Sequence, residues 1–395
     1  MSEVSWQIKS LSELGRFSRG KSKHRPRNDK KLFTNGTYPL IQTGDIKNAN
    51  LYVTKNSDYY NEFGLSQSKL WEQGTLCITI AANIAETAIL SYPMCFPDSV
   101  VGFNAHKNES SELFVYYVFE LIKKEIQKTS SGSIQDNINI DYLTKLKLKV
   151  PNKGYQDRIV NLLSTIDKKI LINNQINEEL EAMAKTLYDY WFVQFDFPDE
   201  NGKPYKSSGG KMVYNDQLKR EIPEGWGVKQ LGELDIATGK RDANFGTENG
   251  QYDFWTTANE PIKADEYSFE GKAILIAGNG NFYINFTEGK FEAYQRTYVI
   301  QSADENELLF MYPACLQSIE KLRKGSNGSI IKYITIGDIQ NISQPHCPVV
   351  AKMFVDIFRP IMNTIQKNKQ QNQELTQLRD WLLPMLMNGQ VKVEE

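Results

Sequence analysis

Two acid-glycine-lysine steps stand close together, Glu270-Gly-Lys272 and Glu288-Gly-Lys290, with Asp265 ahead of the first. Carboxylates beside a lysine can hold a divalent cation and activate water against a phosphodiester, so a metal-dependent nuclease centre around Asp265, Glu270 and Lys272 is one reading. The pattern is common by chance and both copies read as turns, so this reading stays the alternative. A second set of residues suits reading rather than cutting. Gln42 and Thr43 follow the strand-like YPLI, Asn279 and Asn281 follow AILIAG, and Gln295 and Arg296 lie in EAYQRTY. Amides and guanidinium groups match adenine and guanine edges bidentately, whereas Lys, Ser and Thr hold phosphates. Arg19, Lys21, Lys23, Arg25, Arg27, Lys30 and Lys31 form a basic run, and Lys240 and Arg241 are further candidate phosphate contacts.

Other chemistries lack their signatures. There is no phosphate loop, no dinucleotide fingerprint, no zinc-protease helix, no nucleophile elbow and no base-methylation motif. Three histidines and four scattered cysteines make no zinc set, and the expected state is reduced, mostly buried thiols. The N-terminus lacks a signal-peptide layout, and the most apolar window is broken by Asn83 and Glu86. A soluble, cytoplasmic protein without a membrane span is expected. The net charge of -2 hides a gradient. Residues 1–150 carry 19 basic against 15 acidic side chains, and residues 206–344 carry 15 against 19.

The elements that must position these residues come in duplicate. WQIKSLSEL from Trp6 returns as WGVKQLGEL from Trp226, and the corner SGSIQDNINI (Ser131 to Ile140) returns as NGSIIKYITI (Asn327 to Ile336). NEELEAMAKTLYDYWF from Asn177 runs parallel to NQELTQLRDWLLPMLM from Asn372. From Trp6 to Gly132 is 126 positions, against 102 from Trp226 to Gly328, so the modules share borders and differ inside. Ile138 and Ile140 are expected to anchor a closing strand. If the corners touch DNA, Ser133 and Ser329 could do so in both copies, but Gln135 in only one, because Ile331 is its counterpart.

Each corner leads into a helical pattern. Ile159, Leu163, Ile166 and Ile170, then Ile176, Leu180, Met183, Leu187 and Tyr190, are spaced for one face, with a polar break at Asn173-Asn174. The second copy steps regularly through Val350, Phe354, Ile357, Ile361, Thr364, Asn368, Gln371, Leu375, Leu378, Leu382 and Met385, with Pro360 and Pro384 expected to kink or break it. The two helices are expected to pack antiparallel, and a continuous segment over 156–194 would make a rod of roughly 58 Å. Tyr188, Trp191, Phe192 and Phe195, with Trp381 and Leu382, are candidate docking residues for a partner; the competing expectation is an aromatic cap on the helix end.

The frame GSIQ to Pro151, the tail LYDYWFVQFDFP, the linker YNDQLKREIPEGW and the terminal LRDWLLPMLMNGQV resemble the specificity subunit of type I restriction-modification enzymes, over essentially the whole chain. The resemblance implies an α+β fold: two related α/β target recognition domains joined by two long helices packed as an antiparallel coiled-coil spacer, in a pseudo-twofold internal repeat. By it, residues 1–150 and 206–344 are the recognition domains, and 151–205 and 345–395 are the helical regions. It further implies a non-catalytic protein that reads an asymmetric bipartite site in double-stranded DNA. Two methyltransferase (M) subunits would bring S-adenosylmethionine, and restriction (R) subunits would bring ATP and Mg²⁺; this chain would bind no cofactor itself.

Overall fold

The structure, a computed structural model, describes residues 4–131, 138, 140–326 and 332–393. The chain divides into two compact units, Met1–Asn173 with Gln370–Glu395, and Asn174–Lys369. Each unit therefore takes one sheet-rich module together with stretches of both long helices.

The Trp6 and Trp226 repeats build the same local device. In the first unit the strand Trp6–Ser10 pairs antiparallel with Lys147–Pro151, and in the second Gly227–Gln230 pairs with Ser343–His346. Each first strand ends in a tight turn clasped by an acid three residues on. The Glu13 carboxylate accepts the Ser10 N–H at 2.7 Å, and Glu233 accepts that of Gln230 at 2.7 Å. This satisfies a backbone donor that the turn leaves over. Leu11 and Leu231, just inside those turns, are fully buried.

The module interiors, so unlike in sequence, share one topology. In the first unit a sheet runs in the order Gly15–Arg19, Val100–Ala105, Leu76–Thr79, Thr87–Leu90, with Tyr52–Val53 added at the edge. The second unit repeats it as Asp235–Thr238, Thr297–Gln301, Ala273–Ala277, Ile284–Thr287. A further sheet of order Asp58–Tyr60, Tyr38–Leu40, Met94–Cys95, Leu70–Trp71 corresponds to Ile262–Ala264, Tyr252–Trp255, Lys290–Ala293, Phe269–Glu270. In both, the two central strands are parallel and the outer ones antiparallel. The strands Leu76–Thr79 and Ala273–Ala277 are buried along their whole length, and a long helix, Glu112–Ser131 or Glu305–Gly325, follows each set of sheets. Cys77, Cys95 and Cys315 lie in the cores, where burial pushes the Cys95 thiol up to about 11.

The expected closing strand is corrected. Ile138 and Ile334 are buried, but Ile140 and Ile336 open short helices, Ile140–Lys145 and Ile336–Gln340. The closing strands come after those helices. Ile138 N–H donates to Ile80 O, and Ile334 N–H to Gly278 O, both at 3.0 Å, so each module's exit is tied to its central hairpin loop.

The long helices are continuous over Lys153–Tyr188 and Pro348–Asn388, so neither Asn173-Asn174 nor Pro360 nor Pro384 breaks them. They run antiparallel within each unit. Asp167 meets Arg379 and Asn173 meets Gln371 in the first, whereas Asn177 meets Asn368 and Ile365 in the second. The seam differs from the strict heptad. Ile176, Met183, Tyr190, Ile357 and Leu378 are exposed, while Asn173, Asn177, Phe358, Ile365, Leu383 and Leu386 are buried. A straight helix advances about 3.6 residues per turn, so a strict seven-residue step drifts off the buried face. Asn173 stays inside because its amide donates to Gln371 Oε1 at 2.9 Å and Asn372 Oδ1 at 2.8 Å.

Candidate nucleic-acid interface

In the first unit the basic run leaves the strand Gly15–Arg19 and forms a loop shaped by its uncharged and acidic members. The Gln67 side chain accepts the N–H groups of Lys23 at 2.7 Å and His24 at 3.0 Å. Asp29 accepts Lys31 N–H at 3.0 Å and lies 2.9 Å from His24 Nε2, and these partners hold its carboxyl below the usual range, the backbone N–H first. The backbone is thus fixed while Arg19, Lys21, Lys23, Arg25, Arg27, Lys30 and Lys31 are all exposed. Arg27 donates to Asp98 at 2.6 Å, and Arg25 donates to the Ser22 and His24 carbonyls.

The structure brings this loop to one of the amide candidates. An open depression of about 600 Å³ is lined by Arg27, Asn28, Lys30, Phe33, Thr34, Gln42 and Asp58. Gln42 is exposed, and its N–H is fixed by Asp45 at 2.7 Å; Thr43, half-buried, opens the short helix Thr43–Asn48. Cations for phosphates thus stand beside an amide, able to donate and accept, and a carboxylate that accepts only, the mixture that base edges require. Sequence reasoning missed Asn28, Asp58 and Lys69. The Lys69 ammonium lies 3.4 Å over the Trp71 ring, and burial, then the charge of Lys21, hold it below its ordinary range. No spacing in the sequence links Lys69 to Lys21; only the fold brings their charges together.

In the second unit three separate candidate stretches, at Lys240-Arg241, Asn279 and Gln295-Arg296, meet through the backbone. Lys240 N–H donates to Ala293 O at 3.1 Å, Gln295 N–H to Arg241 O at 2.9 Å, and Gly278 N–H to Arg296 O at 2.7 Å. Lys240, Gln295 and Arg296 are exposed. Arg241 is corrected as a free contact: it donates to Glu266 at 2.6 Å and to the fully buried Glu292 at 3.3 Å, and packs over Phe245. Asn279 lies at the start of the hairpin turn after Ala273–Ala277, and Asn281 donates to the Tyr283 hydroxyl at 3.1 Å. Ser133, Gln135 and Ser329, with Ile331, lie outside the described residues.

The nuclease alternative has a structural replacement. Glu270 and Lys290 are cross-strand partners, Gly271 and Gly289 exchange backbone hydrogen bonds, and Lys272 lies 3.8 Å from Glu288 and 2.5 Å from Glu305. The two acid-glycine-lysine steps are complementary edges of one ladder, opposite charge facing opposite charge. Among the described residues, no group of three or more His, Cys, Asp and Glu side chains is placed to hold a metal ion.

The docking expectation is corrected at four positions. Tyr188, Trp191, Phe192 and Phe195 are buried in the second unit's core, where the Phe192 ring lies 5.1 Å from Phe354 and 5.3 Å from Phe310. The helix ends there in one π-helical turn, Asp189–Val193, with Phe195 at φ 65°, which turns the aromatic tail back onto that core. Trp381 is 56% exposed, and Leu382 is half-buried against the first unit's core.

Two modules of one topology, each presenting exposed cations and amides at its strand ends, define a protein built to recognise a polyanion twice. The family pattern described as the type I restriction modification DNA specificity domain matches residues 3–182 and again 223–377, and the chain belongs to that family. It is 26% identical over 423 aligned residues to the type I restriction enzyme MjaIX specificity subunit of Methanocaldococcus jannaschii, covering 99% of this chain and 94% of the relative. It is 35% identical over 180 residues to the type I restriction enzyme EcoDI specificity subunit of Escherichia coli, covering 44% of this chain and 40% of that one. The crystal structure of a type I restriction-modification S subunit from M. genitalium shares the fold, with a TM-score of 0.60 at 17% identity over 98% of this chain and 97% of that one. Among the described residues, no helix is long and apolar enough to cross a membrane.

Proposed function

We propose that this chain is the DNA-reading, non-catalytic subunit of a type I restriction-modification complex, its two modules each reading one half of an asymmetric bipartite site in double-stranded DNA. The observation that carries this reading is the pair of matching strand orders, alike but for one added edge strand, around different loop side chains. One frame used twice places two readers, and different loops give them different targets. Methyltransferase subunits, two by the family resemblance, supply S-adenosylmethionine, and restriction subunits supply ATP and Mg²⁺; the assembly works in the cytoplasm. Exposed apolar side chains on the helices of the second unit, Ile176 and Met183 on one and Met353 and Ile357 on the other, support docking by the helices rather than by the buried aromatic tail.

Exchanging residues 1–150 for another family member's module and sequencing the methylome of cells that carry the partner subunits tests the reading. One half of the methylated motif should change, and a change in both halves would contradict independent readers. The helices serve as the spacer: one heptad added at Leu171–Gln175, with its match in the facing helix, should widen the gap between half-sites. Purified chain incubated with DNA and Mg²⁺ should leave the DNA intact; cleavage abolished by Glu270→Ala would overturn the non-catalytic assignment.

A further inference from the structure

The strands Gly15–Arg19 and Asp235–Thr238 are each followed by a glycine-lysine pair, Gly20-Lys21 and Gly239-Lys240. Gly20 N–H donates to Val100 O at 2.8 Å, and Gly239 N–H to Thr297 O at 3.0 Å; each acceptor is the first residue of the neighbouring strand. A Cβ on Gly20 would overlap the carbonyl oxygens of Phe96 and Pro97, and one on Gly239 those of Ala293 and Tyr294. The turn itself is closed in the same way, by Val100 N–H on Pro97 O at 3.1 Å and by Thr297 N–H on Tyr294 O at 2.7 Å. These contacts put Pro97, Asp98 and Ser99 of the first unit in register with Tyr294, Gln295 and Arg296 of the second. The segments FPDSV and AYQRT share no residue, so only the fold shows the match.

The frame of this turn is common and its content is not. Asp98 is engaged by Arg27 at 2.6 Å and lies 4.0 Å from Arg25. Its counterpart Gln295 is exposed, and so is Arg296. Among the described residues of the second unit, Arg220, Arg241, Arg323 and Arg359 each donate to a protein acceptor. Arg296 donates to none of the described residues. An exposed guanidinium, unclaimed among the described residues, on a tight turn beside an exposed lysine, suits two parallel hydrogen bonds to the O6 and N7 of guanine.

Building on the reading of this chain as a bipartite DNA reader, we propose that this turn is where the two modules diverge in specificity. Lys21 and Lys240 grip backbone phosphates at equivalent places, and Arg296 reads a guanine in the major groove of the second half-site. The first module cannot make that contact, since Ser99 stands at the position of Arg296 and Asp98 is committed to Arg27.

The test uses the chain assembled with its methyltransferase subunits, bound to duplexes randomised across each half-site in turn, at low and moderate salt. Arg296→Ala should flatten the preference for one base pair of one half-site by about tenfold or more and leave the other half-site unchanged. Arg296→Lys keeps the charge and loses the fork, so it should lose the same discrimination while keeping most of the affinity. Lys240→Ala should weaken all sequences alike and lower the slope of log affinity against log salt by about one. An Arg296→Ala complex that keeps its base preference, or that weakens equally on every sequence, would overturn the assignment. A wild-type complex whose half-sites do not follow the exchanged modules would sink the bipartite reading instead.

Discussion

Arg379 donates to one carboxylate oxygen of Asp167 at 2.9 Å, and the other oxygen accepts the Tyr117 hydroxyl at 2.5 Å. Within the first unit this ties both long helices to the helix that follows the module's sheets. Asp167 is 7% exposed, and burial, then the Asp167 charge, push the Tyr117 hydroxyl far above the phenol range, so it remains a donor. Asp167→Ala leaves the partly buried Arg379 guanidinium with only the exposed Asp380, and the Tyr117 hydroxyl without its acceptor, and should cost the first unit about 3–5 kcal/mol in urea unfolding. Replacing Asp167 and Arg379 together by leucine should cost much less, because the only charge then left without its partner is Asp380, which is exposed to water. A loss under about 1 kcal/mol from Asp167→Ala would show that the pair contributes as little as an exposed one.

Phe192 and Trp381 should separate packing from docking. Phe192 is fully buried, so Phe192→Ala should cost the second unit about 3–5 kcal/mol by opening a cavity among Phe310, Phe354 and Trp226. Trp381→Ala, at an exposed position, should leave the melting temperature nearly unchanged. Calorimetry of both variants decides it, and a large destabilisation by Trp381→Ala would contradict an exposed indole.

The second unit should lose stability in mild acid through His346. Burial, then the charge of Lys229, hold its imidazole below the ordinary value, with Glu233 and Glu307 opposing. As pH falls through the ordinary histidine range near about 6.5, the unfolded chain takes up the proton first. Stability is therefore full above that range, declines as pH drops towards the lowered folded value, and flattens beneath it. His346→Phe keeps a ring against Phe310, 5.3 Å away, and should flatten the decline; an unchanged pH slope would assign it to other groups.

Lys30 is exposed and lines the depression that also holds Gln42. In the assembled complex Lys30→Ala should lower affinity for all DNA sequences, and the salt slope should fall by about 0.9 if one phosphate contact is lost. Anisotropy titrations at several salt concentrations measure this. A loss confined to particular sequences would make the lysine a base reader.

The duplicated borders were legible in the amino-acid order because they are local devices. A strand running into a turn clasped by an acid three residues on needs the same residue types each time, so WQIKSLSEL and WGVKQLGEL match. Helix periodicity was equally plain, but which face is buried was not. Asn173 reads as a polar break and is fully buried, since its partners Gln371 and Asn372 come from a distant stretch of chain. The aromatic tail at Tyr188–Phe195 reads equally as a docking surface or a cap, and the core that encloses it assigns it to the interior.

The candidate interface divides along the same line. Residue types alone single out the basic run, Gln42, Gln295 and Arg296, because amides and guanidinium groups carry the hydrogen-bonding patterns that bases present. Tertiary structure alone decided that Arg241 is bound by Glu266 and Glu292 while Arg296 donates to none of the described residues, and that the two acid-glycine-lysine steps face each other across one ladder. Each of these turns on which distant side chain lies within about 3 Å, the reach of a hydrogen bond. Sequence fixes what a side chain can donate or accept; the folded backbone decides whether a partner within the chain has already claimed it.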